Sequence, residues 1–155
     1  MTDNNRNDAY KLAKRLFEEH SYFKAYELLI SLPLRYDRDT RRMFSAMGSI
    51  FKLKTEKGLG FFSKEAFRCF EAAYAIVMEM QKTEIDPVND SIAMYDVAYA
   101  YFEGFGTPRN REKGLSILQD IDKMFRGSGG SIADADDCFG IIEKYWRPGN
   151  QGNET

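Results

Sequence analysis

Apolar residues recur at steps of three and four along most of the chain, which is the spacing of one face of an α-helix. Ala9, Leu12, Ala13, Leu16 and Phe17 form a first stripe, with Asp8 where an N-cap is expected. Ala25, Leu28, Leu29 and Leu32 form a second, closed by Pro33. Met43, Met47, Ile50 and Phe51 make a third, opened by Asp39 or Thr40. Ser63 opens a fourth through Ala66, Phe67, Phe70, Ala73, Tyr74 and Val77. Ser91 opens a fifth through Ala93, Val97, Ala98 and Tyr101, and Asn110 a sixth through Leu115, Leu118 and Ile121. A seventh follows the glycine-rich stretch 127–130 and runs from about Ala133 to Trp146. No stretch alternates with the period of two that marks a half-buried strand, and the prolines at 33, 87, 108 and 148 fall between the stripes. The pattern predicts an all-α chain of about seven helices.

The stripes also repeat as units. Leu12-Ala13 is followed by Leu16, Tyr22, Ala25, Leu29 and Leu32; Met47-Gly48 by Phe51, Ala66, Phe70 and Ala73; Val97-Ala98 by Tyr101, Gly114, Leu118 and Ile121. In each unit a large-small pair lies in the first helix, and a small residue in the second helix lies where the two must touch. The stretch 92–121 resembles a Sel1-like repeat, a relative of the tetratricopeptide repeat with a longer loop inside its hairpin. The likeness rests on Val97-Ala98, Tyr101, Gly104, Gly106 and Lys113-Gly114, with Asn110 where that family usually has Asp. The first unit, with its shorter loop, is more similar to a plain tetratricopeptide repeat. The second departs most, its loop around Gly58 and Gly60 being about two residues longer than the usual Sel1-like spacing. The resemblance implies a short right-handed α-solenoid of about three antiparallel hairpins with a C-terminal capping helix. On that reading residues 1–147 form one domain and 148–155, polar and glycine-containing, a disordered tail.

Composition agrees with a single domain: 155 residues, 43% hydrophobic and 30% charged. The formal net charge of −2 gives no overall bias toward nucleic acid or an anionic membrane. Its distribution is uneven, with 15 basic and 11 acidic residues in 1–82 and 7 and 13 in 83–155, so the halves carry +4 and −6. The sequence reads as that of a cytoplasmic protein: no apolar run is long enough for a membrane span, and neither end carries a readable targeting signal. Cys69 and Cys138 lie far apart among apolar residues and read as buried thiols.

Little here can carry catalysis, and no cofactor or metal is expected. His20, the single histidine, falls at a turn, and neither cysteine has a basic neighbour in sequence to activate it. Asp134, Asp136 and Asp137 lack the spacing of a calcium loop, and no glycine-rich stretch has the strand and Gly-Lys-Ser/Thr of a phosphate cradle.

What remains is recognition. In solenoids of this class the first helices of the hairpins line the concave surface, where partners bind. Phasing each helix on its large-small pair directs Tyr10 and Lys14 inward from the first unit. Arg42, Ser45, Ser49 and Lys52 follow from the second, Tyr95, Tyr99 and Phe102 from the third, and Tyr145 from the terminal helix. The expected role is that of an adaptor, chaperone or stoichiometric inhibitor receiving a protein or peptide in this groove, with no membrane among its expected partners. The opposed charges of the two halves also permit a head-to-tail homodimer. The alternative reading is a helical nucleic-acid-binding protein using the basic segment 35–57, against which stand a pI of about 5.5 and the lack of any nucleic-acid motif.

Overall fold

The computed structural model describes residues 2–132 and 140–146. Among these residues there are seven helices, packed against one another, and no strand. They are α1 (Asp3–Glu18), α2 (Tyr22–Ser31), α3 (Arg38–Glu56), α4 (Ser63–Met80), α5 (Pro87–Glu103), α6 (Arg111–Gly127) and α7 (Ile141–Tyr145). None of them is long and apolar enough to cross a membrane.

Side-chain caps set where four helices begin, because the first backbone N–H groups of a helix have no partner within it. Thr2 accepts from the amide of Asn5, Asp37 from Thr40, Asp86 from Asn89 and Asn110 from Lys113. The start expected at Asn110 is observed. Three others lie earlier than the apolar stripes indicate: α1 is capped by Thr2 rather than Asp8, α3 by Asp37, and α5 by Asp86 rather than opened by Ser91. Pro87 lies in the first turn of α5 instead of between helices. Its missing N–H removes nothing there. The last helix begins at Ile141, and the expected extension back to Ala133 lies outside the described residues.

α1 packs on α2, α3 on α4, α5 on α4 and α6, while α2 meets α3 more sparsely. Small residues sit at the tight crossings. Ala13, Ala66, Ala73 and Ala98 are fully buried. A Cβ added at Gly48 would come 2.5 Å from the Phe70 ring, and one at Gly114 2.8 Å from Phe102, so both crossings depend on glycine. α5 is the central helix, with buried residues from Asp90 to Phe102 on nearly every side. It ends at Gly104, whose left-handed backbone (φ 66°) turns the chain, and the Phe105 amide then donates to the Ala100 carbonyl at 2.9 Å.

Candidate partner-binding face

The odd-numbered helices are joined through polar and aromatic side chains. Lys14 on α1 reaches Asp39 on α3 at 3.3 Å. Lys52 on α3 lies 4.8 Å from the centre of the Tyr99 ring on α5, and its ammonium pairs with Glu56 at 2.5 Å. Glu103 on α5 receives both Lys144 (2.8 Å) and the Tyr145 hydroxyl (3.1 Å) from α7. Those two hydrogen bonds, Lys144 first, hold the Glu103 carboxyl below the ordinary glutamate range against the opposing effect of its burial.

Arg42, Ser45, Ser49 and Lys52 share one side of α3, being spaced three and four residues apart. Arg42 and Ser49 are exposed and Ser45 and Lys52 half-buried. Ser45 Oγ is buried and has no hydrogen-bond partner among the described residues. Arg42 is in no ion pair among the described residues. On α5 the Asp96 side chain is almost wholly removed from water, at 4% exposure. Burial pushes its carboxyl up to about 8, with the Lys52 charge opposing the shift. Burial likewise raises the half-buried Tyr99 phenol, again opposed by Lys52.

Three of the residues expected on the partner surface are not available to a partner. Tyr95 and Phe102 are each 2% exposed and belong to the core. Phe102 stacks on Tyr145 with ring centres 3.9 Å apart and planes within 3°. Tyr10 is buried too: its hydroxyl donates to the Pro33 carbonyl, and the Arg35 guanidinium covers its ring at 4.0 Å. Helical phase misleads on α5 because a helix buried nearly all round has no single apolar face to set it by. Tyr145 is half-buried through the same stacking, and Tyr99 packs its ring 5.9 Å from Phe105. Lys14, Arg42 and Ser49 are the exposed members of the set.

Three of the basic residues in the segment 35–57 are engaged or buried. Arg35 is spent on Tyr10 and on a hydrogen bond to Asn7. Arg41 is buried, and desolvation lowers its pKa with Asp90 the main opposing charge. Lys52 is engaged by Glu56.

A second region, between α2 and α4, is one that sequence reasoning missed. Two open depressions of about 400 and 350 Å³ adjoin there and share Ile30 and Arg68 in their walls. Leu29, Leu34, Phe44 and Ala72 line the first, and Phe23 and Tyr26 the second. No sequence signal marks them, because a groove between two helices depends on how closely they approach. Among the described residues no three His, Cys, Asp or Glu side chains converge as a metal site. His20 is exposed at its turn and stacks on Tyr22, with ring centres 5.6 Å apart.

In comparisons with known proteins the chain matches no family model, and no curated protein or solved structure is detectably similar to it.

Proposed function

We propose that the protein works by binding another protein across the face shared by its odd-numbered helices. In this reading the chain is a short right-handed α-solenoid of three antiparallel hairpins, resembling Sel1-like and tetratricopeptide repeats. The first helix of each hairpin stands beside the next, and together they form a preformed groove for a helix or extended peptide. The observation that carries the reading is the series of side-chain ties from α1 to α3, α3 to α5 and α5 to α7. First helices of successive hairpins would meet in that way. Arg42 and Ser49 are the contact residues this reading favours, since both are exposed on the shared face and neither holds the fold together.

The test is capture of a partner from the native host's lysate, comparing the wild type with an Arg42→Glu/Ser49→Arg variant. One soluble protein retained by the wild type and lost by the variant, with unchanged thermal melting, is the expected result. Undiminished retention by the variant refutes this face. Capture of nucleic acid instead would revive the basic-segment reading, which the burial of Arg41 and the engagement of Arg35 and Lys52 disfavour. Recovery of a tagged second copy of the chain would make the partner the protein itself.

A further inference from the structure

The turn between α3 and α4 holds two adjacent phenylalanines in opposite environments. Phe62 is anchored: its ring stacks on Phe51 at 5.5 Å and lies 6.2 Å from Phe23. Its amide donates to Thr55 Oγ1 at 2.9 Å, while the Thr55 hydroxyl donates to the Phe51 carbonyl at 2.8 Å. Phe61, one residue earlier, is 97% exposed, and Leu59 is 67% exposed. The turn itself is tightly made. Gly58, with φ 72°, donates to the Thr55 carbonyl at 3.1 Å and Leu59 to the Lys54 carbonyl at 2.8 Å, the paired bonds of a Schellman cap. The exposure of Phe61 is thus built into a braced loop.

Lys54, Lys57 and Lys64 lie within a few residues of this tip along the chain, and the Lys54 ammonium stands 6.0 Å from the centre of the anchored Phe62 ring. Among the described residues none of the three is in an ion pair, and the acid closest to them on α3, Glu56, is taken by Lys52. Apolar side chains on a projection with unneutralised lysines beside them suit one kind of partner surface better than others. A groove would shield the residues lining it, and a side chain left 97% exposed stands proud of its surroundings. A projection of this kind matches a soft, negatively charged interface, which admits the rings between its headgroups and neutralises the lysines.

We propose that the α3–α4 turn docks the protein on an anionic lipid surface, with Phe61 and Leu59 entering the headgroup region and Lys54, Lys57 and Lys64 contacting acidic headgroups. This is attachment by a loop and requires no membrane span. It is independent of the partner-binding reading, since the shared face of the odd helices is not used.

The experiment is co-sedimentation with phosphatidylserine-containing vesicles and with pure phosphatidylcholine vesicles, in ~100 mM salt so that exposed charges act only within about 10 Å. The wild type is expected to sediment with the anionic vesicles alone. Phe61→Asp should reduce the vesicle partition constant, taken from a lipid titration, at least about tenfold, and each lysine changed to alanine about fivefold. Phe61 supports nothing in the fold, so Phe61→Asp should melt as the wild type does, and loss of binding is then not loss of structure. A second readout is Phe61→Trp in a Trp146→Phe background, whose emission should shift to the blue on adding anionic vesicles. Failure of the wild type to sediment with anionic vesicles overturns the proposal. So does sedimentation that Phe61→Asp leaves intact, or equal binding to both vesicle types. Loss of a soluble protein partner on Phe61→Asp, without vesicle binding, would reassign the tip to a protein pocket.

Discussion

Phe102 on α5 lies so close to Gly114 on α6 that a Cβ at position 114 would come 2.8 Å from its ring. Glycine in a helix interior ordinarily loses about 1 kcal/mol relative to alanine. Here the sign should reverse. Gly114→Ala must push the ring of a buried Phe that is also clamped by Tyr145, and overpacking of that kind costs about 1–3 kcal/mol. Gly127, at the end of the same helix, has nothing within 4 Å of the position a Cβ would take. Gly127→Ala should therefore be neutral or stabilising. Urea denaturation of the two variants side by side reads the contrast.

Asp96 makes stability depend on pH in the direction opposite to a salt-bridged carboxylate. Its pKa in the folded protein is raised from the ordinary 3.8 to about 8, so the folded state holds a proton that the unfolded chain has lost. Stability should fall as pH rises from about 4 to about 8, by at most about 1.4 kcal/mol per pH unit through this one group. Asp96→Asn removes the ionising group and keeps the shape. It should match the wild type near pH 4 and exceed it at pH 8, as chemical denaturation at the two pH values will report. A wild type and variant with parallel profiles would contradict an ionisable, desolvated Asp96.

Tyr145 closes the stack over Phe102 and donates to Glu103, so it should fasten α7 to α5. Tyr145→Ala loses a ring contact of about 0.5–1.5 kcal/mol beyond the area it buries. Glu103→Gln loses less, below about 1 kcal/mol, because Lys144 is solvated. The Glu103 pKa is depressed, so its contribution is present above the ordinary glutamate pKa and disappears as pH falls through the lower folded value. Hydrogen exchange of the α7 amides should speed up in both variants, more in Tyr145→Ala.

Cys69 is fully buried on α4, and burial, with Glu65 adding to it, pushes its thiol far above the normal range. Only the thiolate reacts readily. In a Cys138→Ser background, Cys69 should resist an aromatic disulfide reagent in the native state. Its labelling rate should rise with denaturant in step with global unfolding. Rapid labelling under native conditions would place the thiol at a surface.

The helices are legible in the sequence wherever an apolar stripe meets a turn signal, as at Asn110 and Gly104. Their starts are not legible where the first turn is solvated. Asn4 to Asp8 are exposed, so α1 has no apolar mark before Ala9. The first turn of α5 carries Pro87 and an exposed Val88, which together read as a break. The candidate face is legible on α3, whose stripe is two-sided, and illegible on α5, whose burial extends round the helix. Phe61 and Phe62 differ only in the direction each takes out of the turn. Adjacent identical residues carry no sequence signal of that difference.

The sparse meeting of α2 with α3 has a consequence for how the molecule comes apart. The ties between the N-terminal pair and the rest include the aromatic contacts of Tyr26 and Phe23 with Phe51 and of Phe23 with Phe62, beside an open depression of about 350 Å³, and the Lys14–Asp39 ion pair. Such a seam should let α1 and α2 release ahead of α3 to α6, and the protein should then unfold in two steps. Its single tryptophan, Trp146, packs against the core near the other end of the chain. Fluorescence would therefore follow the body of the molecule, and a far-ultraviolet signal that falls earlier would be the N-terminal pair letting go.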